Sequence, residues 1–342
     1  MIKEAMFYEK LAENEVKCNL CAHRCKISPG GRGICGVREN YEGTLFSLVY
    51  GAVAGETVLN IENNSLYHYF PGSLAYSVGT AGCNFRCRHC QNWELSSTSP
   101  EDSYLPVLNP CQLVLQARMA GCRSISWIYN EPAIWYEYIF DGAKLAREAG
   151  LGTTYMTNGY IAPEALEHIS PSLDALSADI KAFTDEFYRE ICNAKLAPVL
   201  ESTLFAKKLG IHVEVVNVVI PAHNDSPDEI RELSSWVYDN LGKDTPLHFN
   251  RFHPGYKMKN LPPTPVETLD RAYSIASEEG MRFVYVGNVP GHLHENTYCP
   301  ECETLLIERG FFEVQEYNLT DEKVCPKCGE DIPIIGEYKG WR

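Results

Sequence analysis

The chain has no long apolar run and no surplus of basic residues. No stretch reaches the roughly 18 apolar residues that a membrane-spanning helix needs, and the first ten residues form no apolar signal segment. The 30 lysines and arginines are scattered and are outnumbered by 45 aspartates and glutamates, which gives a net charge of −15. A phosphate backbone would meet a repulsive field over most of such a surface. We therefore expect a soluble, cytoplasmic protein that binds neither membranes nor nucleic acid.

Motifs for hydrolysis and phosphoryl transfer are also missing. The sequence shows no Ser-His-Asp arrangement, no evident pair of acid–base carboxylates and no phosphate-binding glycine loop. The length of 342 residues exceeds the ~250 to 300 residues at which a single core stops growing. One large α/β core with smaller attached units is therefore expected.

Cysteine, by contrast, is abundant, with 14 in the chain. In a chain without an export signal the cytosol keeps thiols reduced, so this number indicates metal binding and not disulfides. All but three of the cysteines fall into three compact groups. The three outside them, Cys111, Cys122 and Cys192, are predicted to be small core residues.

The most informative group is the triplet Cys83, Cys87 and Cys90. A cubic four-iron cluster normally takes four thiolates, so a tight group of three leaves one iron open to a ligand. A zinc knuckle or three core thiols is the alternative, but zinc sites pair cysteines two by two at short spacing. The uneven triplet therefore favours a [4Fe-4S] cluster with chemistry at its open iron.

Short β-rich runs alternate with helical patterns from residue 74 to 290. Several runs are almost continuously apolar, which suits parallel strands covered on both faces. About six repeating β-α units fall short of the eight in a closed barrel, so we predict a partial (β/α)6 TIM-like barrel. The predicted strands are 74–80, 124–129, 152–157, 173–180, 212–220, 246–252 and 281–287.

Polar residues come directly after these predicted strands. Because the carboxyl ends of parallel strands meet at one rim of a barrel, we expect the polar side chains to gather into one site there. Each is weak evidence alone, since Pro and Asn-Gly also end strands for turn reasons. The candidates are Asn130, Glu131, Thr157, Asp179, Lys181 and His253.

The run Gly-Thr-Ala-Gly-Cys83-Asn-Phe-Arg-Cys87-Arg-His-Cys90 resembles the signature of the radical S-adenosylmethionine (SAM) enzymes. In that superfamily the open iron is chelated by the amino and carboxylate groups of SAM. The resemblance implies reductive cleavage of SAM and a 5′-deoxyadenosyl radical that takes a hydrogen atom from a substrate. It also implies a partial barrel, and it places His89 where the family carries a residue near the adenine.

The strand-end residues resemble those of the pyruvate formate-lyase activating enzyme family. That resemblance implies that Asn130 and Glu131 lie in the loop that receives the SAM amino group. It further implies SAM-site roles for Thr157, Asp179 and Lys181, and a place for His253 near the SAM ribose or carboxylate. A closer resemblance, carried by blocks within residues 18–38, 67–73 and 285–302, is to the radical SAM member of the AmmeMemoRadiSam group.

Two further cysteine groups lie at the ends of the chain. Cys299, Cys302, Cys325 and Cys328 form two Cys-Pro-x-Cys knuckles, which predict a four-sulfur site in a zinc-ribbon-like module over residues 291–342. Rubredoxin-like iron is the alternative to zinc, and a substrate-docking role competes with a purely structural one. Cys18, Cys21, Cys25 and Cys35 define a cysteine-rich segment over residues 1–73. They could hold a structural zinc, which is slightly favoured, or an auxiliary cluster, and His23 could replace one thiolate.

The leading hypothesis is thus a radical SAM enzyme whose barrel spans residues 74–290 and whose substrate, a small molecule or a protein, is unidentified. Radical generation needs an electron at low potential, so a flavodoxin or ferredoxin donor is expected. The first alternative is a glycyl-radical activating enzyme of the pyruvate formate-lyase type. The second is a non-enzymatic zinc-binding adaptor, which would explain the end cysteines but leave the triplet unused.

Overall fold

The protein is described by a computed structural model that covers residues 2–101 and 105–340. Its N-terminal part forms two small antiparallel sheets, ordered β1-β6-β5 and β2-β3-β4. Buried side chains of this part, including Val16, Leu20 and Val37, join the main hydrophobic core. The strands are β1 (Lys3–Glu4), β2 (Tyr8–Lys10), β3 (Val16–Cys18), β4 (Lys26–Ile27), β5 (Arg38–Tyr41) and β6 (Thr44–Ser47).

The central sheet positions the site. Within the described ranges it has eight strands: β7 (Gly55–Asn60), β8 (Leu74–Gly79), β9 (Ser124–Trp127), β10 (Gly152–Thr157), β11 (Ala175–Asp179), β12 (His212–Val219), β13 (Leu247–Arg251) and β14 (Val284–Gly287). They lie in sequence order from β14 to β7, and every neighbouring pair from β8 to β14 is parallel. Strand β7 pairs with β8 in the antiparallel direction.

Helices fill the crossovers between these parallel strands. They are α1 (Trp93–Ser96), α2 (Pro110–Met119), α3 (Tyr136–Glu148), α4 (Pro163–Ile169), α5 (Asp185–Phe187), α6 (Leu196–Lys208), α7 (Pro227–Leu241) and α8 (Val266–Glu278). Local sequence sets their ends: Asn109 and Gln112 form a capping box on α2, and the Ser226 side chain accepts from the Glu229 N–H on α7. Helix α5 runs into a π-helix, Tyr188–Cys192.

The C-terminal part is a small antiparallel sheet of β15 (Thr297–Tyr298), β16 (Leu305–Gly310) and β17 (Glu313–Tyr317). Its own small core contains Leu306, Ile307 and Val314 together with Cys299 and Cys325. Tyr67, Phe283 and Tyr285 from the rest of the chain belong to the same cluster, so this ribbon is packed onto the barrel.

The predicted partial barrel is confirmed. Each predicted parallel strand is present with ends shifted by at most a few residues, and in the described part of the chain six helical crossovers join them. The antiparallel strand β7 is an addition that the sequence did not predict. No helix within residues 2–101 and 105–340 reaches the length and hydropathy that a membrane-spanning segment requires.

Candidate active site

A cavity of about 410 Å³ opens at the carboxyl ends of the parallel strands. All three cysteines of the triplet contribute to its walls. The predicted polar residues that also line it are His89, Asn130, Thr157, Asp179 and Lys181. The parallel sheet therefore brings most of the predicted site residues together, as expected for a barrel with its site at this rim.

The loop that carries the triplet is fixed from outside the cavity. Gly82 has φ +86°, and a Cβ at this position would lie 2.5 Å from Val37 Cγ1 and 2.8 Å from the Cys35 carbonyl oxygen, so only glycine fits. The Arg86 guanidinium donates to the Cys83 carbonyl at 2.5 Å and also to the Ile34 carbonyl. These contacts hold the loop while its sulfur atoms face the cavity.

Each triplet thiol must lose its proton before it can bind iron. Burial raises the pKa of Cys83 to about 12, so the thiol keeps its proton unless a positive group takes its place. Binding of iron would release these protons and turn the thiols into thiolate ligands. Three sulfurs that line one cavity would therefore suit the predicted [4Fe-4S] cluster, in which three thiolates leave one iron open to a ligand.

A fourth thiol lies beside the triplet and was not predicted to do so. Cys192 is fully buried and lies close enough to Cys87 to raise the pKa of that thiol. It ends the π-helix, whose carbonyls at Cys192 and Ile191 accept from the backbone N–H groups of Arg86 and Arg88, both at 2.9 Å. Single-turn π-helices are frequent at functional sites, where they re-aim a short segment. Cys111, predicted as a core residue, is exposed instead.

Charged and polar groups surround the free part of the cavity. Lys181 Nζ lies 2.9 Å from Asp179 Oδ2. Burial lowers the pKa of Lys181, but Asp179 together with Cys87 and Cys192 outweighs burial and holds this pKa well above its usual value. His89 is buried, which lowers its pKa to about 3 and keeps its ring neutral. Asn130 is oriented by the Thr80 N–H, at 3.2 Å, and the Gly82 carbonyl, at 2.7 Å.

Two predicted residues stand apart from the cavity walls. The Glu131 carboxylate is buried and accepts from Thr157 Oγ1, the Asn158 N–H and the Ala133 N–H, so it ties the end of β9 to the end of β10. His253 is exposed, and its Nε2 lies 3.5 Å from the Asn288 carbonyl oxygen. Their predicted contacts with SAM stay predictions.

Other cavity residues were missed because they come from outside the strand ends that sequence reasoning considered. Asn63, Ser65 and Tyr67 precede β8, and Phe312 belongs to the C-terminal ribbon. Phe311 and Phe312 form the turn between β16 and β17 with φ of 55° and 62°, a left-handed conformation that bulky residues rarely adopt. Phe312 lines the cavity, whereas Phe311 is 76% exposed. Adjacent aromatic residues are typical of strands and not of tight turns, so no local signal indicated this turn.

The C-terminal cysteines form a compact four-sulfur group, with all four Sγ atoms within 4.8 Å of one another. Cys299 Sγ lies 3.5 Å from Cys328 Sγ, and Cys302 Sγ lies 3.6 Å from Cys325 Sγ. A tetrahedral ion with metal–sulfur bonds of about 2.3 Å requires sulfur separations of about 3.8 Å, so the geometry fits one ion. A hydrogen bond with the Thr304 hydroxyl lowers the pKa of Cys302 to about 6, which favours the thiolate at neutral pH.

Comparison with known proteins agrees with this geometry. Residues 77–236 match the radical SAM superfamily. The chain is 46% identical over 335 residues to an uncharacterized protein of Methanocaldococcus jannaschii, covering 98% of this chain and 100% of that one. It is 25% identical over 162 residues to a pyruvate formate-lyase-activating enzyme of Clostridium pasteurianum, covering 46% of this chain and 66% of the relative.

Solved structures show the same fold at low sequence identity. Streptococcus suis SuiB bound to S-adenosylmethionine has a TM-score of 0.51 at 14% identity, covering 70% of this chain and 56% of SuiB. A radical SAM methyltransferase from Sphaerobacter thermophilus has a TM-score of 0.50 at 16% identity, covering 69% of this chain and 71% of that chain. The cysteine triplet, the partial barrel and these matches together lead to one conclusion: the chain is an enzyme of the radical SAM superfamily, a membership that implies a [4Fe-4S] cluster and SAM.

Proposed function

We propose that this enzyme cleaves SAM reductively at a [4Fe-4S] cluster held by Cys83, Cys87 and Cys90, and that it abstracts a hydrogen atom from a substrate in the adjoining cavity. The observation that carries the proposal is that the three sulfurs and the polar strand-end residues line the same space of about 410 Å³. When bound, the cluster supplies the electron that splits the sulfonium and yields the 5′-deoxyadenosyl radical. The non-enzymatic adaptor is set aside, because superfamily membership makes the chain an enzyme.

The residues of the chain would orient SAM and keep water away. Lys181 is the partly buried cation best placed for the SAM carboxylate, and the ion pair with Asp179 helps to keep it protonated. The side-chain amide of Asn130 is held at its oxygen and at its nitrogen, so it would present a fixed polar group to SAM. The neutral His89 ring would pack against the adenine. We keep Glu131 as a positioning residue that fixes Thr157 and the backbone of Asn158.

We infer a small molecule as the substrate, because the cavity is walled on the ribbon side by Phe312 and on the barrel side by Tyr67. Neutral amides and hydroxyls of Asn63, Ser65 and Asn250 face the same space and favour a polar, hydrogen-bonding compound. A glycyl-radical activating role is the second candidate, and the similarity to the Clostridium pasteurianum activating enzyme favours it.

The electron donor we propose is a flavodoxin or ferredoxin, and the compartment is the cytoplasm, where thiolate ligands stay reduced. For the C-terminal site we propose zinc, since sets of four cysteines at single-ion spacing are typical of structural zinc. The observed spacing supports one ion, and metal analysis distinguishes zinc from iron.

The test compares Cys87→Ala with Cys325→Ala in protein purified and reconstituted without oxygen. We expect Cys87→Ala to abolish release of 5′-deoxyadenosine from SAM under a strong reductant, and Cys325→Ala to keep both the release and the cluster spectrum. Equal loss in the two variants would remove the proposed division between a catalytic cluster and a structural ion.

A further inference from the structure

The N-terminal cysteines lie directly behind the loop that carries the triplet. The Cys35 carbonyl oxygen is 2.8 Å from the position of a Cβ on Gly82, the residue before Cys83. Arg86 clamps the two segments by donating to the carbonyls of Cys83 and Ile34. His23 Nε2 is 2.8 Å from the Asn84 carbonyl oxygen, so this ring also links the N-terminal segment to the loop backbone.

Backbone and side-chain contacts bring the four N-terminal cysteines together. Cys25 Sγ and Cys35 Sγ both lie 3.7 Å from the position that a Cβ on Gly33 would take, so these two sulfurs flank the same glycine. The Cys18 N–H donates to the Cys25 carbonyl at 2.9 Å, and Cys21 lies in the turn that this hydrogen bond closes. Cys18 and Cys35 are buried, while Cys21 and Cys25 are half-buried and nearer the surface.

The spacing of these sulfurs differs from that of the C-terminal zinc-type group. Among the residues that the structure describes, only Cys299, Cys302, Cys325 and Cys328 bring three or more ligand atoms close enough for one ion. Neither the N-terminal quartet nor the Cys83, Cys87 and Cys90 triplet, all within the described residues, brings three sulfurs that close together. A single zinc draws its sulfurs to about 3.8 Å from one another, whereas a cluster puts several irons and sulfides between its thiolates and keeps them further apart.

A buried cation accompanies the quartet. Arg38 is only 1% exposed, its Nη1 lies 3.8 Å from Cys18 Sγ, and its Nη2 pairs with the Glu137 carboxylate of α3. Hydrogen bonds to ligand sulfur and nearby charge set the potential of an iron–sulfur centre. A guanidinium next to a ligand thiolate stabilises the reduced form of a cluster, because that form carries one more negative charge. A positive charge here would therefore make a cluster at these cysteines easier to reduce.

We propose that Cys18, Cys21, Cys25 and Cys35 hold a second [4Fe-4S] cluster that relays electrons to the cluster at Cys83, Cys87 and Cys90. A low-potential one-electron carrier protein is oxidised by one electron at the half-exposed side of the quartet, near Cys21 and Cys25. The second cluster is reduced and then reoxidised as this electron passes through the Cys35–Gly82 contact. The relay rests on the proposed SAM chemistry, but the presence of the second cluster does not.

The presence of the cluster is tested in the full-length chain with Cys83, Cys87 and Cys90 all changed to Ala, reconstituted anaerobically with iron and sulfide. We expect this variant to retain about four irons per chain and a [4Fe-4S] electron paramagnetic resonance signal on reduction. The matched control, Cys302→Ala in the same background, should keep that iron. Iron-free protein, or zinc at both end sites, overturns the proposal whatever the outcome for SAM cleavage.

The relay is tested with Cys21→Ala/Cys25→Ala, which spares the two buried ligands and the triplet. We expect loss of SAM cleavage driven by reduced flavodoxin and retention of cleavage driven by a small-molecule reductant. Equal loss with both reductants overturns the relay. An Arg38→Gln/Glu137→Gln variant, which leaves no buried charge unpaired, should shift the second cluster to a more negative potential, while Arg231→Gln on the exposed face of α7 should leave it unchanged.

Discussion

Two ionisable residues near the cavity differ in what they touch, and this difference separates ligand binding from structural support. Lys181 is partly exposed, lines the cavity and contacts Asp179. The buried Glu131 carboxylate instead accepts hydrogen bonds from Thr157 and from the backbone of Asn158 and Ala133. Only the lysine keeps hydrogen-bonding capacity directed at the space that SAM would fill.

We expect Lys181→Met to weaken SAM affinity about tenfold or more, because a hydrogen bond to a charged group contributes roughly 1.5 to 3 kcal/mol. We expect Glu131→Gln to leave SAM affinity nearly unchanged but to lower stability by roughly 1 to 3 kcal/mol, since the Gln amide presents N–H groups to backbone donors. Equilibrium SAM binding and thermal unfolding of both variants check this. A large loss of SAM affinity in Glu131→Gln would mean that Glu131 contacts SAM directly.

His68 links pH to stability. It is fully buried, with Nδ1 3.2 Å from the Pro333 carbonyl oxygen and Nε2 2.7 Å from the Tyr285 hydroxyl, so a neutral ring satisfies both contacts. Burial lowers the pKa of His68 to about 3. The unfolded chain takes up a proton near pH 6.5 and the folded chain does not, so the stabilisation is complete above about pH 6.5 and is lost as the pH falls below it.

When the pH falls from 7 to 5.5, the titration of His68 should lower the free energy of unfolding of the wild-type protein by roughly 1 kcal/mol. His68→Gln removes the titration, so its loss of stability over the same range should be smaller by that amount. Calorimetric unfolding midpoints at the two pH values measure the difference. The same pH dependence in the variant and the wild type would mean that His68 does not titrate on unfolding.

The placement of single residues at the cavity was predictable where the sequence encodes it locally. The triplet was found from its spacing, and Thr157, Asp179 and Lys181 from their place after apolar strands, because a parallel sheet carries strand ends to one rim. Cys192 and Phe312 were not predictable. Each residue reaches the site because segments far apart in the chain pack together. Neither hydrophobic periodicity nor motif spacing in the local sequence predicts such packing.

At the scale of elements, apolar runs identified the parallel strands because both of their faces are covered. Strand β7, with the sequence Gly-Glu-Thr-Val-Leu-Asn, is exposed or half-buried along its length and pairs only on one side with β8. A polar edge strand of this kind reads as a loop from sequence alone. Strand β7 is antiparallel to β8 because the chain reverses direction through residues 61–73. The secondary-structure propensities of these residues do not indicate that reversal.

The turn between β16 and β17 gives a test with a matched control. Phe312 lines the cavity and Phe311 faces solvent, yet both hold the same left-handed backbone. We expect Phe312→Ala to open the ribbon side of the cavity, so that a chelator removes iron from the triplet site severalfold faster. Phe311→Ala should leave that rate unchanged, because its ring is already outside. Equal rates in the two variants would show that Phe312 does not shield the cluster.

At the scale of the whole molecule, a buried network joins the ribbon to the barrel. Arg309 of β16 donates to the Tyr67 carbonyl at 3.0 Å and to the Thr297 hydroxyl at 2.8 Å, and its guanidinium lies 4.3 Å from the centre of the Tyr67 ring. Tyr67 itself lines the cavity. The ribbon that carries the four clustered cysteines is therefore continuous with a wall of the site, and its stability should affect access to that site.

A ribbon this short buries little core, so its ion should contribute most of its folding free energy. We expect Cys302→Ala to lose about one zinc per chain and to expose residues 291–340 to limited proteolysis, while the barrel and its iron are retained. Because the ribbon carries Phe312, chelation of the triplet-site iron should accelerate as in Phe312→Ala. The control is Cys111→Ala, since this exposed thiol lies outside all three cysteine groups. A protease-resistant ribbon in Cys302→Ala would show that packing against Tyr67 and Tyr285 holds it without the ion.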